Sequence, residues 1–427
     1  MASAFERAYA ALTVLAMVAR LSRSAHWDRD RIRDYQHRRL AAQLRHATRN
    51  VPYYRDLGPA PSLADPPQAL AQLPLLNKSI VQREGSRLLW PDEALDESRA
   101  STTSGSSGQP TTTWFDRDSW LLSKYALKIR RTLGAGPLLG QRLMIFDESS
   151  RADGRVDTPK FLRLPLFAQV RLSAFTALEA QAEVLRQFRP TTLYGAPSAL
   201  AELAGHAQAG GRETPAVATL FTSSELLSAA TRRTLEQTFA GRVTDIYGST
   251  EFKEVAVQCR HGHYHVNFES VYVETVPDPD GAGSRVVLTS LVNRAMPLLR
   301  MDIGDYASLG DTPCPCGLQS PYLHGIRGRE VEYLTLADGR RLSPYLLTTH
   351  IEKIGGIARY QFLQRAGGAV CLLVVPDADA TETAPIAAAL QEALARLLGS
   401  EAVFDIRFVA VIERTAAGKH RIVATEP

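Results

Sequence analysis

Short apolar segments alternate with helix-like stretches through the middle of the chain, and this alternation constrains the fold more than any other feature. The apolar segments are 143–146, 192–194, 220–222 and 243–247, and the helix-like stretches between them include 177–188 and 229–239. Such alternation is typical of a largely parallel sheet covered by helices. In sheets of this kind ligands bind in the loops that follow the strands.

The flanking regions complete an α/β prediction. Residues 1–50 read as helices, and residues 58–76, rich in Pro, Ala and Asp, predict a surface connection. The pattern becomes β-rich after residue 270. We therefore predict a large N-terminal domain (1–327), with mostly parallel sheets covered by helices plus a β-rich subdomain. A small, mobile α+β domain follows (328–427).

Charge and cysteine content exclude several classes of protein. The net charge of +4 over 427 residues argues against nucleic acid as the main partner. The apolar run 10–19 is too short to cross a bilayer, so we expect a packed amphipathic helix and no membrane span. Four cysteines are too few for a disulfide scaffold. A cytoplasmic enzyme is the default expectation.

The segment 101–113, which reads STTSGSSGQPTTT, is unusually dense in glycine and hydroxyl groups. Such a loop can turn backbone amides and hydroxyls toward a phosphate, and Gly105 and Gly108 permit close approach of the backbone. It is not a Walker loop, because no Gly-Lys-Ser/Thr follows. On composition alone, a flexible linker explains it equally well.

Two further segments place carboxylates after apolar strands. Segment 245–251 reads DIYGSTE, and Glu251 in its post-strand loop is suited to Mg²⁺ on ATP. Segment 298–305 reads LLRMDIGD, where Gly304 allows a turn and Asp305 can accept hydrogen bonds from two ribose hydroxyls. Taken singly, each is also explained by a surface turn with a solvated carboxylate.

A fourth segment, 414–421, places Lys419 beside Gly418 near the end of the chain. An ammonium on a mobile turn can reach a carboxylate and an α-phosphate together. Read alone, the segment is better explained as a basic solvated tail.

In this order along the chain, the four segments resemble the adenylate-forming superfamily, and most closely its phenylacetate–coenzyme A ligase branch. The resemblance extends to 44–54 and 73–78 and covers nearly the whole chain. It implies a nucleotide site made of the phosphate loop, the tyrosine–glutamate motif, a ribose aspartate, a hinge arginine and a catalytic lysine. These residues are Thr103, Ser104, Gly105, Ser106, Ser107, Gly108, Tyr247, Gly248, Thr250, Glu251, Asp305, Arg329 and Lys419.

The resemblance also implies a reaction: ATP and Mg²⁺ activate a carboxylic acid to an acyl-adenylate, and coenzyme A then takes the acyl group. The expected acid is aromatic or otherwise compact. Candidates for its pocket follow two neighbouring strands and are Tyr194, Gly195, Ser224 and Glu225. The chain departs from the family pattern at two places. Val331 stands where the family hinge carries Asp or Lys, and the stretch 147–160 is polar where acid-binding relatives have aromatic and glycine residues.

Alternatives remain open at the level of sequence. The acceptor is alternatively an amine or a carrier-protein thiol, because acceptor sites have no compact motif. A hypothesis of another class is that the chain is a non-catalytic nucleotide-binding protein. Glu251, Asp305 and Lys419 argue against it, since binding alone has little need of a mobile lysine. A homodimer is a further expectation.

Cysteine and histidine residues lie on both sides of the third segment, 298–305. Cys259 precedes three alternating histidines, and Cys314-Pro-Cys316 follows about fifty residues later. Three thiolates and one imidazole make a closed tetrahedral zinc site, structural because no open position remains. The resemblance implies that His265 is the imidazole ligand. Three unrelated reduced cysteines are the alternative.

Overall fold

The structure is a computed structural model with two compact units. Unit 1 comprises Met1–Leu138 and Thr244–Ile326, and unit 2 comprises Leu139–Val243 and Arg327–Pro427. The described residues are 4–59, 61–93, 95, 99–102, 111–136, 140–147, 153–157, 160–161, 164–165, 167–173, 176–209, 214–278, 283–327, 334–336, 341–342, 347, 351, 354–365, 368–377, 380, 382–398, 402–413 and 422–425.

The helices and strands alternate most regularly in the middle of the chain. The helices are α1 (Ala4–Ser24), α2 (Arg29–Asn50), α3 (Pro52–Arg55), α4 (Pro66–Ala71), α5 (Lys78–Glu84), α6 (Arg117–Leu121), α7 (Leu127–Ala135), α8 (Leu178–Phe188), α9 (Pro197–Ala209), α10 (Ala229–Phe239) and α11 (Ala384–Leu398). A 3₁₀ turn covers Gly85–Leu88, and a π-helical turn, Leu122–Ala126, joins α6 to α7.

The strands, in chain order, are β1 (Ala100–Thr102), β2 (Thr112–Trp114), β3 (Arg142–Asp147), β4 (Asp153–Asp157), β5 (Lys160–Phe161), β6 (Leu164–Pro165), β7 (Ala168–Ser173), β8 (Thr192–Gly195), β9 (Thr219–Ser223), β10 (Arg242–Ser249), β11 (Lys253–Gln258), β12 (Tyr264–Val266), β13 (Val271–Pro277), β14 (Ser284–Ser290), β15 (Met301–Leu309), β16 (Tyr322–Arg327), β17 (Leu334–Thr335), β18 (Arg341–Leu342), β19 (Ile357–Gln364), β20 (Val370–Pro376), β21 (Phe404–Phe408) and β22 (Val423–Thr425).

Unit 1 contains the β-rich part of the fold. Its strands follow the order β13-β14-β15-β16-β12-β11-β10. The pairs with a described register are antiparallel, and β13 and β14 pair over seven residues. Its main core is built from these strands together with residues of α2 to α5. The expected β-rich subdomain is confirmed.

Two N-terminal segments hold the chain just before Asp305. The hydroxyl of the fully buried Tyr54 donates to the carbonyl of Pro297 (2.7 Å) and accepts from the amide of Leu299 (3.0 Å). Leu76 exchanges backbone hydrogen bonds with the segment around Met301, in a parallel bridge. The approach to Asp305 is therefore fixed from two sides.

The prediction of a surface connection over 58–76 is wrong, because this segment contains α4. Asp65 caps that helix by accepting from the amide of Gln68 (3.2 Å), and Pro66 occupies its first turn. Leu70 and Leu76 are fully buried in the core of unit 1. The Asp-Pro pair was a helix-start signal, not only a loop signal.

Unit 2 contains the predicted parallel strands. Their order is β9-β8-β3-β7-β4, and the β3–β7, β3–β8 and β8–β9 pairs are parallel. Residues of α8, α9 and α10 contribute to one core with these strands. The strands and helices expected over 143–247 are therefore confirmed, and with them the α/β class.

The C-terminal part of unit 2 has its own sheet and core. The strand order β21-β20-β19-β22 combines one antiparallel pair with two parallel pairs. Leu390 and Leu394 of α11 are fully buried in the core with this sheet. The domain boundary at 327/328 and the mobility of this segment stay predictions. Among the described residues, no helix combines the length and apolar character that crossing a bilayer requires.

Candidate functional site

Tyr247 and Asp305, expected to contact adenine and ribose, lie together in unit 1. The Tyr247 hydroxyl donates a 2.8 Å hydrogen bond to Oδ2 of Asp305. Gly304 has φ +78° inside β15, where the pairing with β14 shifts, so the predicted turn before Asp305 is instead an irregularity within a continuous strand. The neighbouring Asp302 is engaged elsewhere, since it accepts from Arg285 at 2.8 Å. Asp305 is thus the aspartate of this motif that faces the tyrosine–glutamate segment.

Thr250 and Glu251 occupy the tight turn between β10 and β11. Glu251 is 8% exposed, and no hydrogen bond reaches its carboxylate from any described residue. Its carboxylate oxygens are not among the buried, unpartnered atoms, so they keep contact with solvent and are accessible to a cation. Gly248 makes the hairpin possible, because a Cβ there would lie 2.2 Å from the carbonyl oxygen of Lys253. The role of Glu251 as a magnesium ligand stays a prediction.

Lys253 follows this turn and was not singled out from the sequence. Its Nζ donates to the hydroxyl of Ser101, and burial lowers the pKa of the Lys253 ammonium to about 8, with Lys124 and Lys128 acting in the same direction. The only signal in the sequence was a lysine two residues after Glu251. That spacing does not reveal that its side chain is half-buried.

The glycine-rich loop is flanked by a short antiparallel pair. Residues 100–102 of β1 face residues 112–114 of β2, and the hydroxyls of Thr102 and Thr112 lie 2.9 Å apart. The residues predicted to hold phosphate, Thr103 to Gly108, lie outside the described residues. The same is true of Arg329, Val331 and Lys419. Their roles stay predictions.

The candidate acyl-pocket residues lie at the ends of β8 and β9 in unit 2. The Tyr194 hydroxyl is 2.8 Å from that of Ser223, and Gly195 closes β8. Ser224 adopts φ +76°. Glu225 accepts from the amide (3.0 Å) and hydroxyl (2.9 Å) of Ser198, in the first turn of α9. Glu225 therefore caps the N-terminal end of α9.

The four predicted zinc ligands lie together. One ligand atom each from Cys259, His265, Cys314 and Cys316 falls within 4.8 Å of the others. Nε2 of His265 is 3.2 Å from Sγ of Cys316, and the sulfurs of Cys259 and Cys314 are 3.8 Å apart. These distances bring the thiols and the imidazole around one point.

Second-layer groups orient these ligands. Nδ1 of His265 lies 2.9 Å from the hydroxyl of Ser320, which leaves Nε2 facing the thiols. Burial lowers the pKa of His265 to about 4, so the ring is neutral, the form that binds metal. Burial raises the pKa of the Cys314 thiol to about 12. Metal binding would therefore release protons from the thiols. Ser320 carried no signal in the sequence.

A family model described as the CapK C-terminal domain matches residues 334–426. A phenylacetate–coenzyme A ligase from Thermus thermophilus is 24% identical over 333 residues, covering 72% of this chain and 72% of that protein. A phenylacetate–coenzyme A ligase from Pseudomonas putida is 24% identical over 298 residues, covering 66% of this chain and 67% of that protein.

Solved structures have the same fold. A 2-hydroxyisobutyryl-CoA ligase, in its postadenylation state with an acyl-AMP, is similar with a TM-score of 0.74 and 19% identity, covering 95% of this chain and 92% of that one. An anthranilate CoA ligase with anthranoyl-AMP is similar with a TM-score of 0.54 and 14% identity, covering 75% of this chain and 65% of that one. The chain is thus similar in sequence to phenylacetate–coenzyme A ligases and has the fold of acyl-CoA ligases.

Proposed function

We propose that the chain activates a carboxylic acid with MgATP and then transfers the acyl group to coenzyme A. The observation that carries this proposal is the 2.8 Å hydrogen bond between Tyr247 and Asp305. Glu251, whose carboxylate is accessible and accepts no hydrogen bond from a described residue, lies four residues after Tyr247. In the first step a carboxylate oxygen bonds to the α-phosphorus. The bond from that phosphorus to the oxygen bridging to the β-phosphate breaks, and pyrophosphate leaves with the electron pair.

We assign the nucleotide contacts residue by residue. Asp305 accepts hydrogen bonds from the ribose hydroxyls, and Tyr247 with Gly248 packs on the adenine. Thr250 and Glu251 face the phosphates, where Glu251 holds Mg²⁺, an ion that lowers the charge repulsion opposing attack. The barrier is largely one of positioning and electrostatics.

Other roles rest on the family resemblance alone. Thr103 to Gly108 hold the β- and γ-phosphates, and Arg329 opens the hinge. Lys419 stabilises the negative charge that grows during adenylation. The segment 328–427 acts as a mobile lid over the large domain 1–327.

The proposed acid is aromatic or otherwise compact. Its pocket is assigned to Tyr194, Gly195, Ser224 and Glu225. Because Glu225 is held by Ser198 at the start of α9, we assign it to the wall of the pocket and not to the chemistry. Tyr194, hydrogen-bonded to Ser223, presents a ring of fixed orientation that is suited to packing on a flat acid.

Coenzyme A is the preferred acceptor because the similar proteins are coenzyme A ligases. Transfer to an amine or to a carrier-protein thiol is the second candidate. A non-catalytic nucleotide-binding protein is the third. It is disfavoured by the presence of Glu251, Asp305 and Lys419 together, since binding alone has little need of a catalytic lysine.

We also propose a structural zinc ion held by Cys259, His265, Cys314 and Cys316. The four ligand atoms lie within 4.8 Å of one another, and Ser320 orients the imidazole. Such an ion ties the β15–β16 connection to the β11–β12 connection. With four protein ligands it has no open position for catalysis.

A cytoplasmic location and a homodimer are further proposals. The location is supported by the four cysteines, all of which are free thiols. The homodimer rests on the resemblance alone, and sedimentation equilibrium of the purified protein tests it directly.

A panel of carboxylic acids, scored by acid-dependent exchange of labelled pyrophosphate into ATP, tests the proposed function. Exchange with a compact aromatic acid, followed by thioester formation on addition of coenzyme A, supports it. Exchange with long fatty acids only contradicts the proposed substrate class. ATP binding without exchange for any acid supports the non-catalytic alternative.

A further inference from the structure

Lys253 occupies a backbone position that normally favours glycine. A three-residue turn separates Ser249 from Lys253, and these two residues pair at the base of the β10–β11 hairpin. Lys253 has φ +62°, the left-handed conformation that completes a turn of this length. Glycine or asparagine adopts it at less cost. A lysine held in a strained conformation beside a candidate site is a signal of function.

The side chain of Lys253 is directed inward and not into solvent. Its ammonium lies 5.2 Å from the ring centre of Phe115 and 5.7 Å from that of Trp120. Its hydrogen bond is to the hydroxyl of Ser101, a neutral group. In the part of the chain that the structure describes, no carboxylate lies within ion-pair distance of this ammonium. The ammonium is positioned by rings and a hydroxyl, and the described carboxylate that acts on it, Glu251, lies beyond ion-pair distance.

Other charges around Lys253 make the region positive. The groups that act on it are Lys124, Lys128 and Glu251. Lys124 and Trp120 lie four residues apart on the helix interrupted by the π-helical turn, and the Lys124 ammonium is 4.9 Å from the Trp120 ring. Local π turns of this kind often accompany functional sites. Lys124 and Lys128 both repel the Lys253 ammonium, and an anion bound beside it would relieve that repulsion.

The glycine-rich loop lacks the cation that Lys253 would provide. Segment 101–113 contains no lysine or arginine. A loop of amides and hydroxyls alone offers phosphate dipoles but no full charge. Ser101, to which Lys253 donates, is the first residue of that segment. The hydrogen bond therefore places the ammonium at the start of the loop assigned to the phosphates.

We propose that Lys253 binds the β- and γ-phosphates of ATP and the pyrophosphate that leaves, supplying the positive charge that the loop lacks. This inference rests on the proposed function and deepens it. As the bond from the α-phosphorus to its bridging oxygen breaks, negative charge grows on pyrophosphate. An ammonium fixed beside the loop stabilises that charge more in the transition state than in the ground state.

Two Lys253 variants and one matched control test the proposal. Lys253→Met removes the ammonium but keeps an apolar chain against Phe115 and Trp120. Lys253→Gly also removes the ammonium, and glycine adopts φ +62° without strain. This second variant keeps the test valid if the methionine variant does not fold. Arg189→Met removes a cation from another left-handed position, φ +44°, on the exposed end of α8.

We expect both Lys253 variants to lower pyrophosphate exchange by about 10²-fold, the scale of losing one electrostatic stabiliser. Binding of magnesium pyrophosphate, measured by calorimetry, should weaken at least about 10-fold. Lys253→Gly should melt at or above the wild-type temperature, because strain and like-charge repulsion are relieved. Loss of activity with retained stability is a result that a purely structural lysine would not give. Lys253→Arg should recover part of the binding, and Arg189→Met should change neither readout.

Wild-type exchange and binding in a folded Lys253→Gly variant would overturn the inference while leaving the proposed function intact. If the wild type shows no acid-dependent exchange, the proposed function fails. The calorimetric comparison of wild type with Lys253→Gly then still decides the role of the lysine. Equal pyrophosphate binding by the two proteins would contradict that role.

Discussion

The hydroxyl of Tyr247 donates a 2.8 Å hydrogen bond to the carboxylate of Asp305, although 58 residues separate them in the chain. Tyr247 lies on β10 and Asp305 on β15, strands that are not neighbours in the order of unit 1. Two motifs that were each weak in the sequence thus form one cluster. A hydrogen-bonded tyrosine holds the aspartate in place before any nucleotide arrives, which lowers the ordering cost of binding.

The first prediction concerns this pair. Asp305→Ala should raise KM for ATP by about 10- to 100-fold, since a hydrogen bond to a charged group contributes about 1.5–3 kcal/mol. Tyr247→Phe keeps the ring and should raise KM by about 5-fold, which corresponds to about 1 kcal/mol for one neutral donor. Steady-state kinetics with varied ATP check both values. Unchanged KM for ATP in Asp305→Ala would exclude the ribose contact.

The second prediction concerns the hairpin that carries Glu251. Gly248→Ala would place a Cβ 2.2 Å from the Lys253 carbonyl, so the hairpin must shift and activity should fall with stability. Gly205→Ala in α9 is the matched control, because no atom lies within 4 Å of its added Cβ. That change should stabilise the protein by about 0.5–1 kcal/mol. The free energies of unfolding in urea distinguish the two variants. Equal stability of both variants would contradict the close approach at Gly248.

Sequence patterns predicted the two motifs but not their contact. The apolar run 243–247 predicted the strand that holds Tyr247. Gly304 signalled the irregular point of β15 just before Asp305, although the expected turn is absent there. Their hydrogen bond depends on the order of seven strands, which alternation alone does not determine. The same limit applied to Leu70, whose burial is set by the packing of α4 and not by its Pro-rich surroundings.

The third prediction concerns the metal. Protein purified without added metal should contain about one zinc ion per chain, the content of a closed structural site. Cys316→Ser should lose the zinc and melt earlier, whereas Cys371→Ser, which alters a buried thiol in β20, should retain it. Ser320→Ala should weaken zinc binding by about 10-fold, the usual effect of removing a group that orients a ligand. Elemental analysis and thermal melts provide the readouts, and folded wild-type protein free of metal would contradict the site.

The fourth prediction concerns pH and His46 of α2. Nε2 of His46 donates to the carbonyl of Arg294 (3.0 Å), and Nδ1 accepts from Asn50 (3.0 Å). Burial lowers the pKa of His46 below 6.5, because the folded protein favours the neutral ring. The stability contributed by that ring is present above pH 6.5 and is lost as the pH falls through the lowered value.

Melting temperatures between about pH 7.5 and about pH 5.5 check this prediction. His46→Gln can keep both hydrogen bonds and cannot titrate, so it should lose less stability on acidification than the wild type. His37→Gln, on the same helix, controls for removal of an imidazole. Equal acid sensitivity of wild type and His46→Gln would show that His46 does not contribute.

The fifth prediction concerns Lys419. Lys419→Ala should lose adenylation by about 10²-fold or more, because its ammonium acts on charge that grows in the transition state. The same variant, given a presynthesised acyl-adenylate, should still transfer the acyl group. Separate assays of the two half-reactions decide the matter. Adenylation at the wild-type rate would assign Lys419 to a solvated tail.

The zinc ligands and Lys253 show why one part of the site was predictable and another was not. Cys314-Pro-Cys316 restricts two ligands to one short loop, so spacing alone predicted that they act together. The position of the Lys253 ammonium depends on a positive φ and on the distant rings of Phe115 and Trp120. The residues next to Lys253 in the sequence predict neither property. A site whose ligands have a fixed spacing can be predicted from the sequence, whereas a site created by the burial of one side chain cannot.

The most direct test of the account is the identity of the product formed without a thiol. Wild-type protein, mixed with MgATP and the best acid of the panel but no coenzyme A, should form acyl-AMP and pyrophosphate in about equal amounts, and mass spectrometry identifies both. Addition of coenzyme A should then convert the acyl-AMP to AMP and a thioester. Formation of ADP with an acyl phosphate, or ATP recovered unchanged with every acid, would contradict the account.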